Sequence, residues 1–188
     1  VGIDPSIRST GIAVISCPPE GLWIRKTRLI KTSANTDEAL RLQYLRNQAE
    51  DFIKEFGDVP LAGSTVEDPS IYSVNQADKL GEVRGVFKVL LTDLGEHPPT
   101  GIPPTSLKKF ATGNGSAKKE KLIQSAYPLW GPLSEDEADA AWLAELALAL
   151  DEPFKITLTR KQLEAIQGIR EMSKPKTKSP RGGRELNI

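Results

Sequence analysis

This chain of 188 residues has one cysteine, one histidine and one methionine, so it is short of the residues on which much protein chemistry is built. Its lone thiol, Cys17, has no second cysteine with which to form an internal disulfide or a zinc cage. The lone histidine, His97, stands in a Glu-His-Pro-Pro turn that reads as a loop, so it supplies no triad with Cys17, which is expected at a strand end as a small buried group. No apolar run approaches the roughly 20 residues that span a bilayer. Together these absences exclude a disulfide scaffold, a zinc module and an integral membrane helix, and they imply a reducing, cytoplasmic setting with no membrane partner. Net charge is missing too: 25 Lys and Arg balance 25 Asp and Glu, whereas nucleic-acid-binding domains are usually basic.

What is present is enough apolar content, 38%, for one globular core. Residues 1–153 are expected to form that domain, and 154–188 an extension ending in a flexible tail rich in Pro, Gly, Ser and Lys. Val1 already reads as strand, so a few residues are expected to precede it. Charge is segregated rather than absent: lysines gather at Lys108, Lys109, Lys118, Lys119 and Lys121 and basic residues again from Arg170 to Arg184, while acids concentrate in 134–139.

The opening VGID, then STGIAVIS (9–16) and LWIRKTRLIKT (22–32), alternate with the period of strands and predict a meander. The stretch TDEALRLQYLRNQAEDFIKEF changes period: Leu42, Leu45, Ala49, Phe52 and Phe56 line one helical face, with Thr36 as N-cap and Gly57 as stop. A short strand is expected over 61–67, ended by Pro69. A helix follows from Asn75 to Leu94, in which Gly81 and Gly85 would admit a close backbone neighbour. A brief strand is expected near Ile102, a loop around Gly-Asn-Gly (113–115) and a helix from about Ser116. The clearest helix is 134–150, where Ser134 and Glu137 form a capping box. Beyond Pro153 a strand and a helix are expected. Strands first, then strand and helix in alternation, imply an α/β fold: a mixed sheet flanked by helices.

On that frame four acids fall at element ends. Asp4 closes the first strand and Glu67 the fourth. Asp136 and Asp139, three apart, share a helix face and lie roughly 4.5 Å apart along its axis. Each has a plain alternative: first-turn acids favour the helix dipole, and Glu67-Asp68 before a proline suits a turn. As a set, carboxylates crowded without a cation would raise one another's pKa, whereas oxygen-only sites suit Mg2+ or Mn2+. A pair of such ions about 4 Å apart can drive phosphodiester hydrolysis. Arg8 and Ser9, beside Asp4, are candidates to reach a scissile phosphate, with an ordinary surface role as the alternative for Arg8.

GIDPSIRSTGIAVI, VEDPS, KLGEVRG (79–85), SLKKFATGNGSAKKEKL (106–122) and DEADAAWLAELA (136–147) resemble, in order and over about residues 1–150, the motifs of RuvC-type Holliday junction resolvases. The resemblance implies an RNase H-like fold with a five-stranded sheet and a homodimer. It also implies metal-dependent paired nicking of branched DNA, chiefly four-way junctions, with a branch-migration helicase as a candidate partner. Carried over, Asp4, Glu67, Asp136 and Asp139 would be the catalytic, metal-binding tetrad for two Mg2+ (or Mn2+) ions. Lys108, Lys109, Lys118, Lys119 and Lys121, with Arg8, Tyr72 and Arg84, would contact DNA. The family usually carries an aromatic shortly after the second acid, contacting bases at the junction; here the first is Tyr72. Other branched nucleic acids, such as flaps, forks and three-way junctions, therefore stay open as substrates. So do a non-catalytic DNA-binding scaffold and, since G-I-D before small polar residues also suits a phosphate-binding hairpin, an actin-like or sugar-kinase-like module.

Overall fold

The computed structural model describes residues 1–17, 21, 23–33, 35–58, 60–68, 77–151 and 156–172. Strands β1 (Gly2–Asp4), β2 (Ser9–Ser16) and β3 (Ile24–Lys31) form the expected meander. β4 (Thr65–Glu67) lies parallel to β1, and β5 (Thr100–Ile102) parallel to β4. The sheet order is β3-β2-β1-β4-β5, the expected five-stranded mixed sheet. β4 is shorter than the expected 61–67, with Leu61 making only an isolated bridge to Gly95.

Helix α1 (Glu38–Lys54) is capped by Asp37, not by Thr36. The Asp37 carboxylate accepts from the Ala39 and Leu40 N–H groups at 3.0 and 3.2 Å, a charged acceptor at the positive helix end. Helix α2 (Ala77–Leu94) buries Val83, Phe87, Leu90 and Leu91. These pack with Phe52 and Leu45 of α1 against Ile3, Ile12 and Val66 of the sheet. Gly81 and Gly85 turn away from that core and a Cβ at either would meet nothing, so the close approach expected there does not occur within the chain.

Helix α3 (Pro104–Thr112) occupies a stretch in which the sequence predicted no helix. Pro104 sits at its start, where the missing N–H costs nothing and the fixed φ is already helical. Gly113, at φ 76°, ends it in the left-handed region. Lys108 and Lys109 are therefore helical residues. α4 (Lys119–Trp130) begins three residues later than expected, after Lys118. α5 (Glu135–Asp151) carries the expected capping contact, the Ser134 N–H donating to Glu137 Oε2 at 3.0 Å. α6 (Arg160–Met172) packs on α3 and buries Ala165, Ile166 and Ile169 with Leu107, Phe110 and Trp142. It thus joins the core of the preceding helices. No strand forms over the described residues 156–159. Cys17 is exposed, not buried, because it lies past the end of β2. Tyr72 and the tail from 173 onward lie outside the described residues.

Strand parity positions the site. Ile3 and Val66, paired in register, enter the α1–α2 core. Gly2, Asp4, Thr65 and Glu67 are out of phase with them and so point to the opposite face, which α5 covers. A Cβ at Gly2 would overlap the backbone of Ala140 to Ala144, and one at Gly11 would overlap the Asp136 carbonyl. With Ala13, Ala140, Ala141 and Ala144 all buried, α5 lies directly on β1 and β2. Thr65 Oγ1 pins the same helix by donating to the Leu143 carbonyl at 2.8 Å.

Candidate metal centre and nucleic-acid interface

Asp4 and Glu67 end two neighbouring parallel strands, on the face that α5 covers. The first turns of α5 bring Asp136 and Asp139 to the same place. Burial pushes Asp4 up to about 9, reinforced by the charges of Glu67, Asp139 and Asp136 and by a hydrogen bond shared with Glu67. Burial also raises Glu67, against the pull of the Asp4 hydrogen bond and of Lys119, Lys108 and Arg84. Asp139 is pushed up to about 6 by burial and by Glu67, with Lys119 and Lys108 opposing. All four acids singled out in the sequence are therefore brought together.

The donor set suits a hard divalent cation: oxygen ligands only, half-buried, and mutually repulsive until a positive charge joins them. Among the described residues no three of these side chains already stand closed around an ion-sized point.

Two supporting contacts escaped the sequence reading. Ser9 Oγ donates to Asp136 Oδ2 at 2.6 Å, so Ser9 serves a carboxylate of the site rather than being held free for a phosphate. Its signal was parity, since Ser9, Gly11 and Ala13 alternate along β2 on the α5 face. The Ser9 end of the strand is held by a tight turn in which the Ser6 N–H donates to Thr10 Oγ1 and Thr10 Oγ1 to the Ser6 carbonyl. The second contact concerns Asp68. Arg84 Nη1 lies 3.1 Å from its Oδ1 and Lys88 Nζ 3.5 Å from its Oδ2, while the Asp68 N–H donates to the Ile102 carbonyl at 2.8 Å. Arg84, expected at DNA, is half-buried and clamps the residue after Glu67, because Asp68 supplies a carboxylate within its reach.

The lysines divide into groups. Lys108 on α3 and Lys119 at the start of α4 face the carboxylates, acting on both Glu67 and Asp139, and Lys119 also pairs with Glu135. Lys109 turns the other way, to Glu164 of α6 at 3.8 Å. Lys118 and Lys121 are exposed beside Lys119, and Arg8 is exposed in the β1–β2 turn.

Comparison with known proteins gives the family and the fold. The family model described as crossover junction endodeoxyribonuclease RuvC matches residues 1–144. A protein of that name from Anaeromyxobacter is 32% identical over 151 residues, covering 79% of this chain and 72% of its own. One from Brachyspira hyodysenteriae is 28% identical, covering 77% and 89%. Among solved structures, Thermus thermophilus RuvC in complex with Holliday junction substrate superposes with a TM-score of 0.64 at 24% identity, over 76% of this chain and 88% of that one. At that identity the superposition establishes the RNase H-like fold.

Proposed function

The chain belongs to the RuvC family of crossover junction endodeoxyribonucleases, and on that premise we propose that it resolves four-way DNA junctions by paired nicks. Asp4, Glu67, Asp136 and Asp139 are the ligands of its divalent ions, two of Mg2+ or Mn2+ per site. The observation that carries the reading is a cluster of four half-buried carboxylates, two at adjoining strand ends and two on the first turns of α5, with Lys108 and Lys119 acting on it.

The ions, when bound, supply charge stabilisation to the phosphodiester and activate water as nucleophile. The chain's own residues prepare that chemistry. Asp4 and Glu67 present their oxygens from strand ends held on both sides by ladder hydrogen bonds, a rigid mount. As metal ligands both would be deprotonated, so binding of a cation would oppose the upward pull of burial on their pKa values. Ser9 holds one oxygen of Asp136 and so fixes its orientation. Lys108 and Lys119 favour the ionised forms of Glu67 and Asp139 and attract the phosphate to the acids.

The outer face of α1 and α2 supports a homodimer. Leu42, Val86 and Val89 line an apolar groove with Gly85, and Leu40 and Val89 are more than half exposed, at 59% and 58%. Gly81 and Gly85 leave open space there for a facing helix. A second substrate reading, other branched DNA, is favoured by the Asp68 clamp: Arg84 and Lys88 are engaged by this acid, the residue after Glu67.

The test is cleavage of a labelled four-way junction beside a linear duplex of identical arm sequence, in Mg2+, Mn2+ or chelator. Paired, metal-dependent nicks confined to the junction and lost in Asp4→Asn are the expected result. Nicking of forks and flaps at equal rates would move the reading to the second substrate class. Tight junction binding without cleavage in either metal would make the protein a scaffold.

A further inference from the structure

Helix α6 lies beyond the residues that the family model matches, which end at 144, yet it is seated on the helix that carries Lys108 and Lys109. Its apolar face, Ala165, Ile166 and Ile169, is buried against Leu107 and Phe110 of α3, so its polar residues are held at fixed positions on α3. Lys161 lies over the left-handed turn that ends α3: a Cβ at Gly113 would touch its Cδ, with its Nζ 3.4 Å away. Glu164 joins the two helices, accepting from Arg160 Nε at 3.2 Å and lying 3.8 Å from Lys109 Nζ. Arg160 and Lys109 thus meet at a single acid, with Lys161 beside them over the adjoining turn.

The cluster is continuous with the basic surface at the site. Lys108 and Lys109 are consecutive on α3, about 100° apart around its axis. One lysine therefore faces the carboxylates and the next faces α6. The composition of α6 is also inverted relative to ordinary helices. Its first turn contains no acid and opens on Arg160 and Lys161, although cations oppose the dipole at that end. The first turn of α4 is also rich in lysine, with Lys118 preceding Lys119 and Lys121, although Glu120 stands among them. Arg160 is 93% exposed on its side chain, leaving most of its charge open to an outside anion.

We infer that α6 contacts DNA, with Arg160 and Lys161 binding the phosphate backbone of a junction arm beside Lys109. The inference rests on the reading of the α3 and α4 lysines as DNA-facing. Evenly spaced phosphates suit such a cluster because contacts of this kind position a duplex without reading its sequence. Glu164 holds the cations in place when DNA is absent, and its own charge opposes the phosphate.

The experiment is binding of a labelled four-way junction by the full chain in chelator, followed across a salt series. Each lost phosphate contact makes the slope of log affinity against log salt shallower by about 0.9. Arg160→Gln/Lys161→Gln is expected to lose about 1.8; Arg160→Gln alone, a change at an exposed side chain that cannot unfold the protein, about 0.9. Glu164→Gln is expected to tighten binding, a gain that a purely structural role for α6 would not give. Lys161 also stands at the C-terminal end of α3, where a cation stabilises the helix, so a fall in melting temperature with an unchanged slope would overturn the inference. Lys108→Gln separates the two levels. If it flattens the slope while the α6 variants do not, α6 is not a DNA contact. If no variant changes the slope, the DNA-facing reading of the α3 surface fails as well.

Discussion

The two faces of the sheet are packed by opposite means. On one, Ile3, Ile12 and Val66 meet Phe52, Phe87 and Leu90, large side chains that hold α1 and α2 away from the strands. On the other, Gly2, Gly11 and Ala13 meet Ala140, Ala141 and Ala144, and α5 rests on the strand backbones. The first face packs the larger apolar side chains. The second gives up side-chain volume for proximity, and what it brings close is a set of like charges. The same strands serve both faces because alternate residues point opposite ways.

Four predictions sharpen that contrast. The largest effect is expected from Asp4→Asn, which should lower metal-dependent cleavage on the order of 10³-fold, about 4 kcal/mol of transition-state stabilisation. The same variant should leave the α1–α2 face intact, giving an unchanged circular dichroism spectrum. Next, Gly11→Ala and Phe52→Leu should each cost about 1–3 kcal/mol in urea unfolding. Only Gly11→Ala should also weaken Mn2+ binding by calorimetry, because of the helices on the two faces only α5 carries acids of the site. Equal losses of metal affinity in both variants would break the distinction between the faces.

The third prediction concerns pH. Between the ordinary aspartate value, roughly 4, and about 9, folded Asp4 holds a proton that the unfolded chain has released. Asp139 behaves likewise up to about 6. The folded state therefore binds more protons, and stability of the metal-free protein falls as pH rises through this window. Melting temperature in chelator should decline from pH 5 to pH 9. Asp4→Asn should flatten the decline and stabilise the protein at pH 8 by more than about 1.4 kcal/mol, the worth of one pKa unit. Added Mn2+ should protect the wild type most at high pH, where protons no longer compete for the ligands.

The smallest effect is expected from Ser9→Ala. Loss of the 2.6 Å contact to Asp136 should weaken metal binding about tenfold, with Ser9→Thr retaining part of it and stability little changed in both. A Ser9→Ala protein with full metal affinity would show that α5 packing alone orients Asp136.

Much of this was written locally. The meander, α1, α2 and α5 were legible because period and caps are properties of neighbouring residues, as in the Ser134–Glu137 contact. α3 was not, because Pro103 and Pro104 read as loop when one of them starts a helix. Gly81 and Gly85 looked like an internal contact because spacing cannot tell which neighbour a small residue faces. Arg84 looked available to DNA because nothing in KLGEVRG reveals that Asp68, sixteen residues earlier, lies 3.1 Å from its guanidinium.

The sequence by itself determined which chemistry was available: four acids at element ends, lysines gathered in one segment, and neither a thiol pair nor a second histidine. It also determined strand parity, and with it that Asp4 and Glu67 share a face. Only the tertiary structure decided that α5 would close on that face through glycine and alanine, that Ser9 would reach Asp136, and that α6 would seat Lys161 on the end of α3. The physical reason is range. Periodicity and capping act over a few residues, whereas burial, repulsion and ion pairing depend on distances in space between residues as far apart as Ser9 and Asp136.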